Sequence, residues 1–286
     1  MQKLSFLKRQ IRYQLSTMES ITVSVILLWI VMINYLKNVF TYQGTDCIAM
    51  YHSMKLLSIS FNQVNVNANL TLVFTMIFPF LAVMSAGFSY DKERTSGQEV
   101  HIKYRIGNQN YLCVKTIVAF LSSFLIFFLP FLLEIVANLL SFPKAIGDLS
   151  NAATINPYFI ELEHNYFGYS IYKKNAVLYA VLGCVQLAAF AGTLSAFTVV
   201  ISYFWKVKFR VLLFVPVFVY LEFSILMDKL KIGKIGLKAW HEYILLFTEG
   251  RKSVIAWIVF WLIMIITIVI AVIKSRRMES CNGKEI

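Results

Sequence analysis

Six long apolar runs set the rhythm of the chain. They occupy positions 21–35, 70–90, 113–140, 176–204, 211–227 and 254–273, and a membrane-crossing helix needs about 20 mostly apolar residues. Shorter amphipathic stretches separate them. Ahead of the first run, Leu4, Leu7, Ile11, Leu15 and Met18 recur at helical spacing, while Lys3, Lys8, Arg9 and Arg12 lie off that stripe. This predicts a helix over 1–19 that lies on a membrane surface with its basic side toward lipid headgroups. Farther on, Leu230, Leu237, Trp240, Ile244 and Phe247 share one helical face, and Lys231, Lys234, Lys238 and Glu242 share the other. Positions 234–248 are therefore expected to form a short interfacial or re-entrant helix, which would either seal the outer end of a pathway or only anchor its loop. The remaining connections at 37–69 and 141–175 are rich in Asn, Tyr and Ser and read as small caps.

A strongly charged connection, "DKERTSGQEVHIKYRIGNQNYLCVK", spans 91–115. Ser96 and Glu99 have the Ser-x-x-Glu spacing of a capping box, and Gly107 supplies a stop, so a helix is expected over 96–106. The alternation of Val100, Ile102, Tyr104 and Ile106 with charged residues also suits a half-buried strand, but a lone strand here would have no partner. As a helix, the segment places Val100 with Tyr104 on one side and Ile102 with Ile106 on nearly the opposite side. Such an element fits between two surfaces.

Composition turns the six runs into an all-α polytopic membrane protein. Of 286 residues, 58% are hydrophobic, 24 are Phe and only 15% are charged, which leaves too little polar surface for a water-soluble globule. A single transmembrane domain is expected, with an interfacial helix at 1–19, a six-helix core at 20–275 and a tail at 276–286. No short apolar run followed by a small-residue cleavage site marks a removable leader. Lys and Arg give the orientation, because cytoplasmic segments carry an excess of them. With the N-terminus inside, sixteen basic residues fall on the inner segments and eleven on the outer ones, so both termini are expected in the cytoplasm. The net charge of +12 is spread over both sides. It forms no stripe for nucleic acid and favours anionic lipid instead.

The chemistry of an enzyme is missing from this pattern. Cys47, Cys113, Cys184 and Cys281 fall one to a distant segment, with neither disulfide nor metal-ligand spacing. His52, His101, His164 and His241 all lie in connections and none pairs with another at ligand spacing. No Gly-rich phosphate loop ending in Gly-Lys-Ser/Thr occurs, so no ATP binding is expected in this chain. Two carboxylates, Glu134 and Glu222, do fall inside apolar runs, where a charge is costly and is a functional candidate by default. Pro130, Glu134 and Asn138 are spaced by four and share a face. Glu134, Asn138 and Glu222 could line a cargo path or gate. The glutamates could equally reach the interface or pair with Lys144 or Lys229. Cys184, Ala188, Gly192 and Ala196 make a smooth strip for close helix packing, and Pro79, Pro130 and Pro216 interrupt three runs without breaking their apolar pattern.

This order of elements resembles the permease subunits of type-2 ABC transporters. The resemblance is carried by six spans, an interfacial first helix, outer amphipathic structure before the last span, and "YDKERTSGQEVHIKYRIGNQNYLCVKTIVAF" at Tyr90 to Phe120. There an acidic stretch and a Gly lead into a basic helix, a Gly, a Tyr and the Lys that opens the third span. The resemblance implies a coupling helix formed by Ser96, Glu99, Val100, Lys103, Tyr104, Arg105 and Ile106, docked into a separate ATPase. Glu99, Lys103 and Tyr104, flanked by Arg105, are expected on its docking face. It also implies two ATPase copies that hold ATP and Mg, a second permease copy that is identical or homologous, and residence in a bacterial cell membrane. The transported species would be a hydrophobic or amphipathic cargo, peptide or lipid-like, exported from the cell. A non-transporting immunity or sensor protein of the membrane has the same hydropathy.

Overall fold

The computed structural model describes residues 2–45, 52–60, 68–106, 108–143, 167–204 and 244–247, together with positions 258, 261, 262, 265, 266, 268, 269 and 273. Helices dominate, and no strand forms among the described residues. In chain order they are α1 (Gln2–Leu15), α2 (Met18–Tyr42), a 3-10 helix at Ser53–Leu56, α3 (Ala68–Ala86), α4 (Ser89–Thr95), α5 (Gln98–Ile106), α6 (Asn108–Ser141), α7 (Tyr169–Lys174) and α8 (Ala176–Phe204). Four of them, α2, α3, α6 and α8, are long and apolar enough to cross a membrane. The scattered positions described between 258 and 273 are helical as well, in the region of the sixth expected span. The fifth, 211–227, lies outside the described residues, as do Pro216, Cys47, Cys281, His164, His241 and the tail.

Local signals explain the helix ends. Thr17 opens α2 by accepting a hydrogen bond from Ser20 N through its side chain, the usual way an orphan N–H at a helix start is satisfied. Asn175 does the same for α8, where its Oδ1 accepts from Leu178 N at 3.0 Å. The second run is shorter than expected. Its helix stops at Ala86, and the chain turns through Gly87 and Phe88 into α4. A Cβ on Gly87 would lie 2.7 Å from Val83 O and 3.0 Å from Thr198 Cβ, so only bare backbone lets α3 come this close to α8.

The bundle alternates in direction. Ser20 Oγ at the start of α2 donates to Ser85 O near the end of α3 at 2.6 Å, whereas Asn34 of α2 meets Glu134 of α6. Hence α2 and α6 run one way and α3 the other. α8 also runs against α6, because Tyr203 near its end meets Tyr90 of α4 while Tyr179 near its start meets Phe247. A buried core of aliphatic and Phe side chains fills the space between the four long helices, including Phe74, Phe78, Phe127, Phe131 and Phe190. In lipid there is no hydrophobic drive for helices to associate, so close packing and interhelical hydrogen bonds hold such a bundle. Gly192 supplies one close approach between α6 and α8. Its Cβ would lie 2.9 Å from Phe120 O of α6. Ser85, Ser123 and Ser195 supply a hydroxyl cluster joining α3, α6 and α8, with Ser123 and Ser195 2.6 Å apart.

Candidate functional site

Two polar assemblies stand out against the apolar bundle, one at each end. At the α4–α5 end, α5 is the helix expected from the charged connection, but its start differs. Ser96 is the C-cap of α4, where its N–H bonds to Lys92 O and its hydroxyl donates to Glu93 O at 3.3 Å. The capping box therefore does not form. Gly97 takes φ +74, a left-handed turn that an L side chain resists, and α5 begins at Gln98.

The faces of α5 are sharply divided. Val100 and Tyr104, one turn apart, are 70% and 93% exposed. Glu99 and Lys103 turn the other way and pair at 2.7 Å. Lys103 Nζ also sits over the rings of Tyr111 and Tyr203, at 5.4 and 5.9 Å from their centroids, and the Tyr90 hydroxyl donates to Glu99 Oε1 at 3.3 Å. Burial, reinforced by the Glu99 carboxylate, holds the Tyr90 phenol well above its usual range. Of the expected docking face, then, Tyr104 points outward while Glu99 and Lys103 are spent on the bundle. Ile102 is half-buried against the cluster of Tyr90, Tyr111 and Leu112. Arg105 and Ile106 end the helix, and their side chains lie outside the described residues.

Beneath α5 a buried ion pair joins α4 to α6. Glu93 accepts from Lys115 Nζ at 2.5 Å and from the Tyr111 hydroxyl at 2.8 Å, with both charged side chains 5% exposed or less. On its outer side α4 is tied to α2 by Lys92 and Glu19. The first helix also reaches this junction. Gln14 of α1, 5% exposed, donates to Ser85 O at 3.3 Å, and Phe6, Gln10 and Tyr13 line a cleft with Gln98 and His101. Thus α1 is a surface helix that rests one face on the bundle end, with Lys8, Arg9 and Arg12 exposed.

At the far end the polar stripe on α6 meets a segment that looked like a cap. Residues 52–60 are buried throughout, folded in between α2, α3, α6 and α8. Ser58 N and Ser58 Oγ both donate to the Glu134 carboxylate at 2.7 Å, and Asn34 Nδ2 donates to it at 2.7 Å. Asn34 and Asn38 donate to Leu56 O, each at 2.8 Å, and Thr71 Oγ1 donates to Ser58 O at 2.9 Å. Backbone that would be intolerable against lipid is permitted here because protein groups satisfy it. Glu134 and Asn138 are both 0% exposed. Glu134 thus faces this inserted segment, and Pro130 and Asn138 on the same stripe are buried as well. Glu134 holds no cation among the described residues, and Glu222, Lys144 and Lys229 lie outside them. Among the described residues the Asn138 amide has no hydrogen-bond partner. The side chain that sequence reasoning missed is Ser58, which lies 76 positions from its partner.

The inserted segment is closed by part of the second amphipathic stretch. Most of 234–248, expected as helix, lies outside the described residues; Ile244 is helical, but 245–247 are not, since Leu246 N donates to Ile59 O at 2.9 Å and Phe247 takes φ 54. Ile244, Leu245, Leu246 and Phe247 are all buried. The helix thus ends at Ile244, and an irregular segment bonded to Ile59 follows it. No group of metal-ligating side chains occurs among the described residues. His52 is used structurally, its Nδ1 accepting from Met54 N at 3.1 Å.

Compared with protein families, curated proteins and solved structures, the chain matches none.

Proposed function

We propose that this chain is the membrane-spanning subunit of an ATP-driven type-2 ABC transporter, probing a partner ATPase with α5 and exporting a hydrophobic or amphipathic cargo. The observation that carries the reading is the Val100–Tyr104 face. An aromatic residue 93% exposed, one turn from a valine 70% exposed, is an anchor pair without a cover, and Tyr is enriched where protein interfaces bury a hot spot. The rest of α5 supports the same role. Glu99 and Lys103 lock the helix to Tyr90, Tyr111 and Tyr203, and Glu93 with Lys115 locks α4 to α6. A push on α5 is therefore delivered to α6 and α8 instead of being absorbed by a loose loop.

In this mechanism ATP and Mg are held by two copies of the partner, and two permease copies enclose the path. Closure of the ATPases on ATP favours one arrangement of the spans over the other, and the differential binding energy drives the exchange. Both termini and α5 face the cytoplasm of a bacterial cell. A photo-crosslinking residue at position 104 tests this in living cells. The crosslinked partner should contain a Gly-x-x-x-x-Gly-Lys-Ser/Thr phosphate loop, and crosslinking should fall by at least about tenfold when Val100 is changed to Asp, since loss of an interface anchor costs about 2 kcal/mol. Capture of a partner without that loop, or of no partner, overturns the assignment.

A further inference from the structure

We propose that a cleft beside α8 holds one acyl chain of an anionic phospholipid, with the headgroup resting on Lys173 and Lys174. This site is independent of α5 and of any ATPase. The cleft has a volume of about 550 Å³, and its walls include Tyr179, Leu182, Gly183, Ala189, Leu246 and Trp261. Its shape comes from backbone. A Cβ on Gly183 would lie 2.3 Å from Leu246 Cδ2, so Leu246 can seat against α8 only because that position is bare. Phe247 meets Tyr172 and Tyr179 edge to face, at 5.1 and 5.2 Å between centroids, and fixes the segment that forms one wall.

The lining selects an occupant without hydrogen-bonding groups. The Tyr179 hydroxyl is already spent, donating to Phe167 O at 3.0 Å and accepting from Phe247 N at 3.4 Å. Gln186 is the other polar side chain among the described lining. A polar ligand would lose its hydration here with little in return, whereas an alkyl chain gives up nothing. The charge at the rim decides which lipid. Ile171 of α7 also lines the cleft, and Lys174 stands three positions on, on the same face and about 4.5 Å farther along the axis at 1.5 Å per residue. Lys173 and Lys174 are both exposed and carry no ion-pair partner among the described residues. Exposed basic side chains beside an apolar cleft attract anionic headgroups over zwitterionic ones.

Trp261 in the wall makes the site measurable. In a variant with Trp29, Trp205, Trp240 and Trp257 replaced by Phe, reconstituted into mixed vesicles of phosphatidylcholine and phosphatidylglycerol, brominated acyl chains will quench Trp261. At equal mole fraction, brominated phosphatidylglycerol should compete for the site about fivefold or more better than brominated phosphatidylcholine. Changing Lys173 and Lys174 to Gln, both on the surface, should bring the two lipids level. Filling the cleft with Ala189→Phe should abolish the preference while the lysines remain. Equal quenching by the two lipids in the parent, a preference that survives the lysine changes, or one that survives Ala189→Phe each overturns the proposal.

Discussion

At the scale of single residues the Glu134 cluster shows how a buried carboxylate is tolerated in a membrane helix. Three neutral donors from Asn34 and Ser58 converge on it, and the acceptor is shared between a spanning helix and an inserted loop. A glutamine keeps this pattern, because Oε1 can accept from Asn34 and Ser58 N while Nε2 donates to a reversed Ser58 hydroxyl. Glu134→Gln is therefore expected to unfold in detergent within about 1 kcal/mol of the parent. Glu134→Ala leaves a buried main-chain N–H and an amide hydrogen without an acceptor, at about 1–3 kcal/mol each, and should unfold clearly earlier in a denaturant titration. Equal losses in the two variants would contradict a hydrogen-bonding role. The apolar run made Glu134 and Asn138 conspicuous in the sequence. Their surroundings were not legible, since Ser58 sits in an unpatterned Asn- and Ser-containing connection that gives no sign of being buried.

At the scale of elements, helix α8 was readable to its ends. Positions 176–204 were expected, and Ala176–Phe204 is observed, because Asn175 is a strong cap and the apolar pattern is unbroken. Its packing was partly readable too. Cys184, Ala188, Gly192 and Ala196 are all buried, and Gly192 lies against α6. A side chain there meets backbone, at 2.9 Å from Phe120 O, as well as the Phe120 ring at 2.8 Å. Gly192→Val is expected to destabilise by about 1–3 kcal/mol through overpacking, and Phe120→Ala should not rescue it, since the carbonyl stays in place. Full rescue in a double-mutant comparison of unfolding would mean that the ring alone sets the spacing. The charged connection was less faithful to its signals. Ser-x-x-Glu matched a capping box, yet Gly97 in the left-handed region divides the segment, and Glu99 is drawn to Lys103 and Tyr90.

For the whole molecule, direction is the property to test. α6 carries the chain from the α4–α5 end to the far end, so cysteines at Ser96 and Lys173, on a background with the four native cysteines replaced, should be labelled by an impermeant thiol reagent from opposite sides of the membrane. The basic-residue distribution predicts that position 96 is labelled from the inside. Labelling of both from one side would mean that the chain between them does not cross once. The sequence by itself determined the membrane class, the all-helical build, the four long helices now described and a short charged helix ahead of α6. These follow from run length, periodicity and composition, which act locally along the chain. Only the tertiary structure decided that 52–60 is buried inside the bundle, that 245–247 are irregular backbone lying against it, and that Lys115 pairs with Glu93. Each of those depends on partners many residues away, and a polar connection looks the same in sequence whether water or a facing helix satisfies its backbone.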